Sequence, residues 1–274
     1  MRPVLIAGAH GTLGRAFGRI CHTRGLAAVG LGRAELDIAD PASVAAALDQ
    51  HRPWAVVNAA GYVRVDDAET DVERCFRENA TGPKELANAC AARGLPLLTF
   101  SSDLVFDGEQ QGPYTESSVP NPLNVYGRSK LVGERAVLAA HPRALVVRTS
   151  AFFSNWDEYN FVHFALQAGR HGQPFEAADD VRMAPTYVPD LVNTALDLLL
   201  DDAQGIWHLA CQDSCTWAEL ARAAARRAGL SDGFVVPRPM ADFGLPAARP
   251  RQSTLASEKG IVQPSIEDAL GRML

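Results

Sequence analysis

Tyr126 and Lys130 stand four residues apart in the run Pro122-Leu123-Asn124-Val125-Tyr126-Gly127-Arg128-Ser129-Lys130. On a helix that spacing puts both side chains on one face, one turn apart. A phenol beside an ammonium suits carbonyl reduction. Hydride delivery to a ketone builds negative charge on oxygen, and the phenol can supply the proton if the ammonium lowers its pKa. Lys130 would also hold a ribose hydroxyl. A second donor is expected from Thr99-Phe100-Ser101-Ser102-Asp103, where two hydroxyls follow an apolar run, and Ser102 is the expected oxyanion partner. A tyrosine–lysine pair alone occurs in many helices, and a serine pair often only caps a turn. Their weight comes from a third feature upstream.

That feature is Val4-Leu5-Ile6-Ala7-Gly8-Ala9-His10-Gly11-Thr12-Leu13-Gly14, with three glycines at intervals of three between an apolar run and a helical pattern. Glycines there let the backbone turn sharply and approach a pyrophosphate, which the helix N-terminus then receives. Gly8, Gly11 and Gly14, with His10, Thr12 and Leu13 between them, are therefore candidate cofactor contacts. After the second apolar run stand Leu31-Gly32-Arg33, where a site for NAD would usually carry an acid; Arg33 favours the 2′-phosphate of NADPH, with NADH left open. Asp37 and Ile38 follow at a distance suited to the adenine edge. Asn58-Ala59-Ala60-Gly61, at the end of the third run, are small enough to let a cofactor lie against the backbone.

These residues need a scaffold that brings strand ends together. Apolar runs at Val4–Ala7, 27–31, 54–57, 95–100 and 144–147 alternate with Ala-rich stretches of helical spacing. Strands apolar on both faces and separated by helices predict a Rossmann-type, doubly wound parallel α/β sheet, with ligands at the strands' carboxyl ends. After about residue 150 the rhythm changes to short strands, Pro/Gly-rich loops and helices near 158–170, 189–201, 216–228 and 265–273. The expected organisation is a cofactor domain over 1–150 and a smaller substrate lobe over 151–274, part of which, near 187–209, returns to the sheet.

Composition narrows the function classes. The 274 residues are 47% hydrophobic and 21% charged, ordinary for a globular enzyme. A net charge of −6, with arginines scattered among acids, argues against nucleic acid as partner. The five cysteines are odd in number and lack paired spacing, so neither a disulfide framework nor a metal site is expected. With no charged leader or apolar stretch long enough for a bilayer, the expectation is a cytoplasmic protein without a membrane partner.

Taken together, the glycine loop, Asn58-Ala59-Ala60, Val65-Asp66-Asp67-Ala68-Glu69, Asn79, Ser101-Ser102-Asp103-Leu104-Val105-Phe106 and Pro122 to Lys130 resemble the extended short-chain dehydrogenase/reductase family. Within it they are most similar to the dTDP-4-dehydrorhamnose reductases. Arg148-Thr149-Ser150, Ala184-Pro185-Thr186, Gly205 to Leu209 and the late Arg249-Pro250 with Ser253 and Leu255 extend the resemblance over nearly the whole chain. It implies an NAD(P)H-dependent reductase of a nucleotide-linked keto-sugar. Ser102, Tyr126 and Lys130 then take the catalytic roles with Asp103 beside them, and Asn79 and Ser101 join the cofactor set. Val105, Ala151, Phe152 and Arg249 join Ser102 and Asp103 around the substrate, Arg249 as a diphosphate contact. Leu104 and Ala151 stand where the family pattern carries aromatics, so the sugar is left open while the hydride chemistry holds. Arg15-Ala16 replace the acid that supports metal-bridged dimers in some members; a homodimer without that bridge stays open. The sequence is also similar to a reductase-like branch attached in some bacteria to glycosidase-type domains, which leaves open a longer parent chain. Two alternatives remain at this level: a non-catalytic NADP-binding regulatory subunit of the same fold, and an epimerase or dehydratase of nucleotide sugars.

Overall fold

The structure, a computed structural model, describes residues 2–274. Its first half alternates strand and helix: β1 (Val4–Ala7), α1 (Thr12–Thr23), β2 (Ala28–Leu31), α2 (Pro41–His51), β3 (Ala55–Asn58), α3 (Val72–Phe76), α4 (Gly82–Ala92), β4 (Leu97–Ser102), α5 (Val125–Ala140) and β5 (Leu145–Thr149). The second half adds β6 (Phe152–Phe153), α6 (Phe161–Arg170), β7 (Phe175–Ala178), β8 (Arg182–Met183), β9 (Thr186–Tyr187) and α7 (Val188–Leu200). It ends with β10 (Gly205–His208), β11 (Cys215–Thr216), α8 (Trp217–Arg227), β12 (Val235–Arg238) and α9 (Ile266–Met273).

Six strands form one parallel sheet in the order β10-β5-β4-β3-β1-β2. Alternation along β1 shows why its residues must all be apolar: Val4 and Ile6 enter a core with Phe17 of α1 and Leu191 of α7, while Leu5 and Ala7 enter another with Val44, Leu86 and Val137 of α2, α4 and α5. From β1 the chain goes to β2 on one side and then to β3 on the other, which opens a crevice beyond the carboxyl ends of β1 and β3. β10 returns from the later half to lie beside β5.

The later elements form three small pairings, β6 with β9, β7 with β12 and β8 with β11, packed with α6, α8 and α9 around Phe153, Leu166, Met183 and Leu220. The helix expected from about 158 begins at Phe161, because Asn160 caps it: its Oδ1 accepts the His163 N–H at 3.0 Å and ends the preceding turn. Thr216 and Glu219 close a capping box at the start of α8. All five cysteines are buried and unpaired. Among the described residues no helix is long and apolar enough to cross a membrane.

Candidate active site

β4 runs on to Ser102, so Ser101 and Ser102 are strand residues, paired with Arg148 and Thr149 of β5. α5 then delivers Tyr126 and Lys130 beside them. Its first turn is fixed twice: Asn124 Oδ1 accepts the Gly127 N–H at 2.7 Å, and Glu69 Oε1 accepts the Val125 N–H at 2.8 Å. Further along, Glu134 grips Arg148 of β5 through two bonds of 2.8 and 2.7 Å, both side chains nearly inaccessible. The helix lies so close to the 103–105 turn that a Cβ on Gly127 would stand 2.1 Å from the Leu104 carbonyl oxygen. Gly127→Ala is accordingly expected to destabilise the protein by about 1–3 kcal/mol and to lower kcat by moving Tyr126 from Ser102. A denaturant titration and a kcat measurement on the purified variant check this.

Around the phenol the structure gathers hydroxyls about one carboxyl. Asp103, 6% exposed, accepts from Ser102 at 3.0 Å, Ser150 at 2.8 Å and Ser253 at 2.6 Å. Burial raises the Asp103 pKa against the lowering by those three hydroxyls. Burial, reinforced by the Asp103 charge, raises the Tyr126 pKa as well, while a hydrogen bond with Ser102 opposes the rise. The expected depression of the phenol by Lys130 is therefore not found: the ammonium lies 5.8 Å from the ring centroid and does not offset burial. Lys130 Nζ donates to the Phe100 carbonyl at 3.3 Å, and burial brings its pKa down to about 8 against the opposing charge of Glu134.

The glycine loop has the shape a pyrophosphate requires. Gly8 has φ +80°, and a Cβ there would lie 2.7 Å from the Ala60 nitrogen, so loop and post-β3 segment pack backbone to backbone. Gly11 precedes α1 without a side-chain cap, which leaves first-turn N–H groups of a 12-residue helix for an anion. Those residues fit a dinucleotide. His10 is exposed and its ring covers Gly32, whereas Leu13 is core. The Thr12 hydroxyl donates to Asp157 at 2.6 Å.

Other residues singled out by sequence hold the walls. Asn58 and Asn79 are each 2% exposed. Asn58 bridges to Thr99 and the Ala60 N–H, and Asn79 to Tyr62 and Ser129, so their amides shape the crevice through internal bonds. Gly61 faces Asn79 and Lys130, where a Cβ would meet Oδ1 at 2.9 Å and Nζ at 3.4 Å. Ile38 packs on Gly82, and Asp37 is paired with Arg77 at 2.7 Å. Arg33 stands beyond β2 as expected, its guanidinium 2.5 Å from Glu78.

A cavity of about 620 Å³ adjoins this cluster. It is lined by Ser101, Ser102, Asp103, Leu104 and Tyr126 at one end, by Ala151 and Phe152, and by Phe161, Phe164, Trp217 and Phe243 from the later half. Arg249 also lines it, held by its own Ala247 carbonyl at 2.6 Å and Asp66 at 2.7 Å. Val105 does not line it: fully buried with Phe106, Tyr114, Leu131 and Leu255, it is a core residue, which corrects the expectation of a substrate contact. The turn after Ser102 points Asp103 to the cavity and Val105 into the core. Ser150 and Ser253 were missed as Asp103 partners, although both lie in segments that carried the family resemblance.

Against known proteins, a model of the RmlD substrate binding domain family matches residues 1–272. The chain belongs to that family. This RmlD-type chain is 34% identical over 254 residues to the dTDP-4-keto-6-deoxy-D-glucose reductase of Streptomyces niveus, covering 93% of this chain and 88% of that one. It is 36% identical over 256 residues to the dTDP-4-dehydrorhamnose reductase of Streptomyces griseus, covering 92% and 84%. The crystal structure of the dTDP-4-dehydrorhamnose reductase of Bacillus anthracis in complex with NADP superposes with a TM-score of 0.94 at 30% identity, covering 99% and 98% of the two chains.

Proposed function

We propose that this RmlD-family protein is an NADPH-dependent oxidoreductase that reduces the keto group of a nucleotide-linked sugar. The observation that carries this reading is the meeting of Tyr126, Ser102 and Lys130 at the mouth of the glycine-loop crevice, against a cavity of about 620 Å³. The relatives named as reductases of dTDP-linked 4-keto-sugars, and the NADP complex of a structural neighbour, support it. In this reading residues 1–150 hold the cofactor and carry the catalytic end of the cavity, and residues 151–274, apart from the part near 187–209 that returns to the sheet, shape the rest of it.

Bound NADPH supplies the hydride. Gly8, Gly11 and the first turn of α1 would receive its pyrophosphate, and Arg33 its 2′-phosphate. Lys130 holds a ribose hydroxyl and keeps a positive charge near the reacting oxygen. The Ser102 hydroxyl, whose one proton is donated to Asp103 in the free protein, turns to donate to that oxygen when substrate binds, and Tyr126, whose raised pKa keeps the phenol protonated, transfers its proton to it. Ser150 and Ser253 also donate to the Asp103 carboxyl, so it keeps two partners when Ser102 turns from it.

Lys130 gives the reaction a pH limit. Its folded pKa of about 8 lies below the ordinary lysine value, so the ammonium is present below pH about 8 and is lost above it. The kcat/KM for reduction is expected to fall as pH rises through that value, and Lys130→Met to remove the limb along with most of the activity. A profile that stays level to pH about 10 would contradict the role given to the ammonium. The function itself is tested by following NADPH oxidation with a panel of dTDP-linked 4-keto-6-deoxyhexoses. Turnover with at least one is expected; none, from protein that binds NADPH, would remove the reading.

A further inference from the structure

Beyond β2, at the place where a doubly wound sheet receives the adenosine ribose, two guanidinia converge on one oxygen. Arg33 Nη1 lies 2.5 Å from Glu78 Oε1, and Arg74 Nε lies 2.8 Å from that same atom. The carboxylate is sheltered, with 14% of its side chain exposed, while Arg33 and Arg74 are 57% and 52% exposed. The two neighbouring pairs do not cancel the surplus. Arg77 is matched by Asp37 at 2.7 Å, and Asp71 comes no nearer to Arg74 than 3.9 Å, on an exposed edge.

As a device for stability the triad is poor. Exposed ion pairs contribute little, and here two like charges are drawn together to share one acceptor oxygen. As half of an anion site it is well made. Each guanidinium gives one N–H to Glu78 and keeps others of its fork free, directed by a carboxylate that is largely sheltered from solvent. Burial acts to raise the Glu78 pKa, but the hydrogen bonds from Arg74 and Arg33 outweigh it, so the carboxylate stays charged at neutral pH.

We infer that Arg74 is a second cation for the 2′-phosphate of the cofactor, and that Glu78 pre-sets Arg33 and Arg74 around the phosphate position while tempering its affinity. Arg33 alone was legible from sequence; Arg74 and Glu78 reach the same point from the segment after β3, one helical turn apart from each other. The proposal rests on the NADPH reading above and deepens it into a specificity mechanism. A 2′-phosphate gains two guanidinia and meets one carboxylate, whereas the 2′-hydroxyl of NADH gains neither charge and can donate to Glu78.

The test is calorimetric titration of the full chain with adenosine 2′,5′-bisphosphate and with adenosine 5′-monophosphate, a pair that isolates the phosphate without turnover. Arg74→Met, which keeps much of the aliphatic stem and removes the guanidinium, is expected to weaken the bisphosphate about tenfold and the monophosphate less than about twofold. Glu78→Gln is expected to strengthen the bisphosphate by about three- to tenfold by removing a like charge, and Arg74→Lys to recover part of the loss. Equal weakening of both ligands by Arg74→Met, or no weakening of either, would overturn the inference, as would bisphosphate binding that weakens in Glu78→Gln. A native chain that binds the two ligands equally would instead bring down the NADPH preference itself, and the inference with it.

Discussion

Tyr126→Phe is expected to lower kcat by about two to four orders of magnitude while changing NADPH affinity less than about twofold. The substitution deletes one oxygen from a half-buried ring on a helix that Asn124, Glu69 and Glu134 fix independently, so position and packing survive. What disappears is the acid. Burial and the nearby Asp103 charge hold the phenol pKa above its ordinary value, so the native group remains a proton donor across the neutral range. Without it the developing oxyanion keeps Ser102 and Lys130 as partners but has no proton positioned to take. Steady-state kcat paired with fluorescence titration of NADPH separates the two effects. A variant with near-native kcat would show that the proton comes from elsewhere, and a loss confined to NADPH affinity would reassign Tyr126 to binding.

The largest effect on stability is expected from Glu134→Ala, about 3–5 kcal/mol. Its partner Arg148 is 2% exposed, stacked over Phe106 at 5.1 Å from the ring centroid, and beside His208 at 3.4 Å. Removing the carboxylate leaves a guanidinium in the core with no counter-charge, which costs more than the native pair contributes. Glu134→Ala combined with Arg148→Met is therefore expected to be less damaging than Glu134→Ala alone, because no charge is then stranded. Urea unfolding of the three variants measures this. The pair also ties α5 to β5 one turn beyond Lys130, so the single variant is expected to lose activity before it unfolds. Additive losses in the double variant would mean that the two residues do not act as a pair.

Much of the fold was legible because burial on both faces dictates composition. Leu5-Ile6-Ala7, Val56-Val57 and Val146-Val147 have no polar alternative in a covered parallel sheet, and the chemistry proposed for Tyr126, Lys130 and Ser102 rests on their places along such elements. Half of the site was not legible, for a different reason. Phe164, Trp217, Phe243 and Ser253 come from separate loops and helices whose meeting depends on tertiary packing, with no local period to announce it. Asp66 and Arg249, 183 positions apart, form their pair only once the late segment folds back over the crevice. Val105 misled because a short turn after Ser102 reverses which neighbours face the cavity. Surface arginines and glutamates such as Arg74 and Glu78 look like any solvated helix face until the geometry shows two of them on one oxygen.

In the proposed reaction bound NADPH would give its hydride to a sugar carbon whose oxygen Tyr126 protonates. Deuterium-labelled NADPH, carrying the label on the transferring face of the nicotinamide, tests it most directly with a dTDP-linked 4-keto-6-deoxyhexose and product analysis by nuclear magnetic resonance. One deuterium on the new carbinol carbon is expected for each NADPH consumed. A sugar that is epimerised or dehydrated while NADPH is conserved, or a reduced sugar without the label, would contradict it.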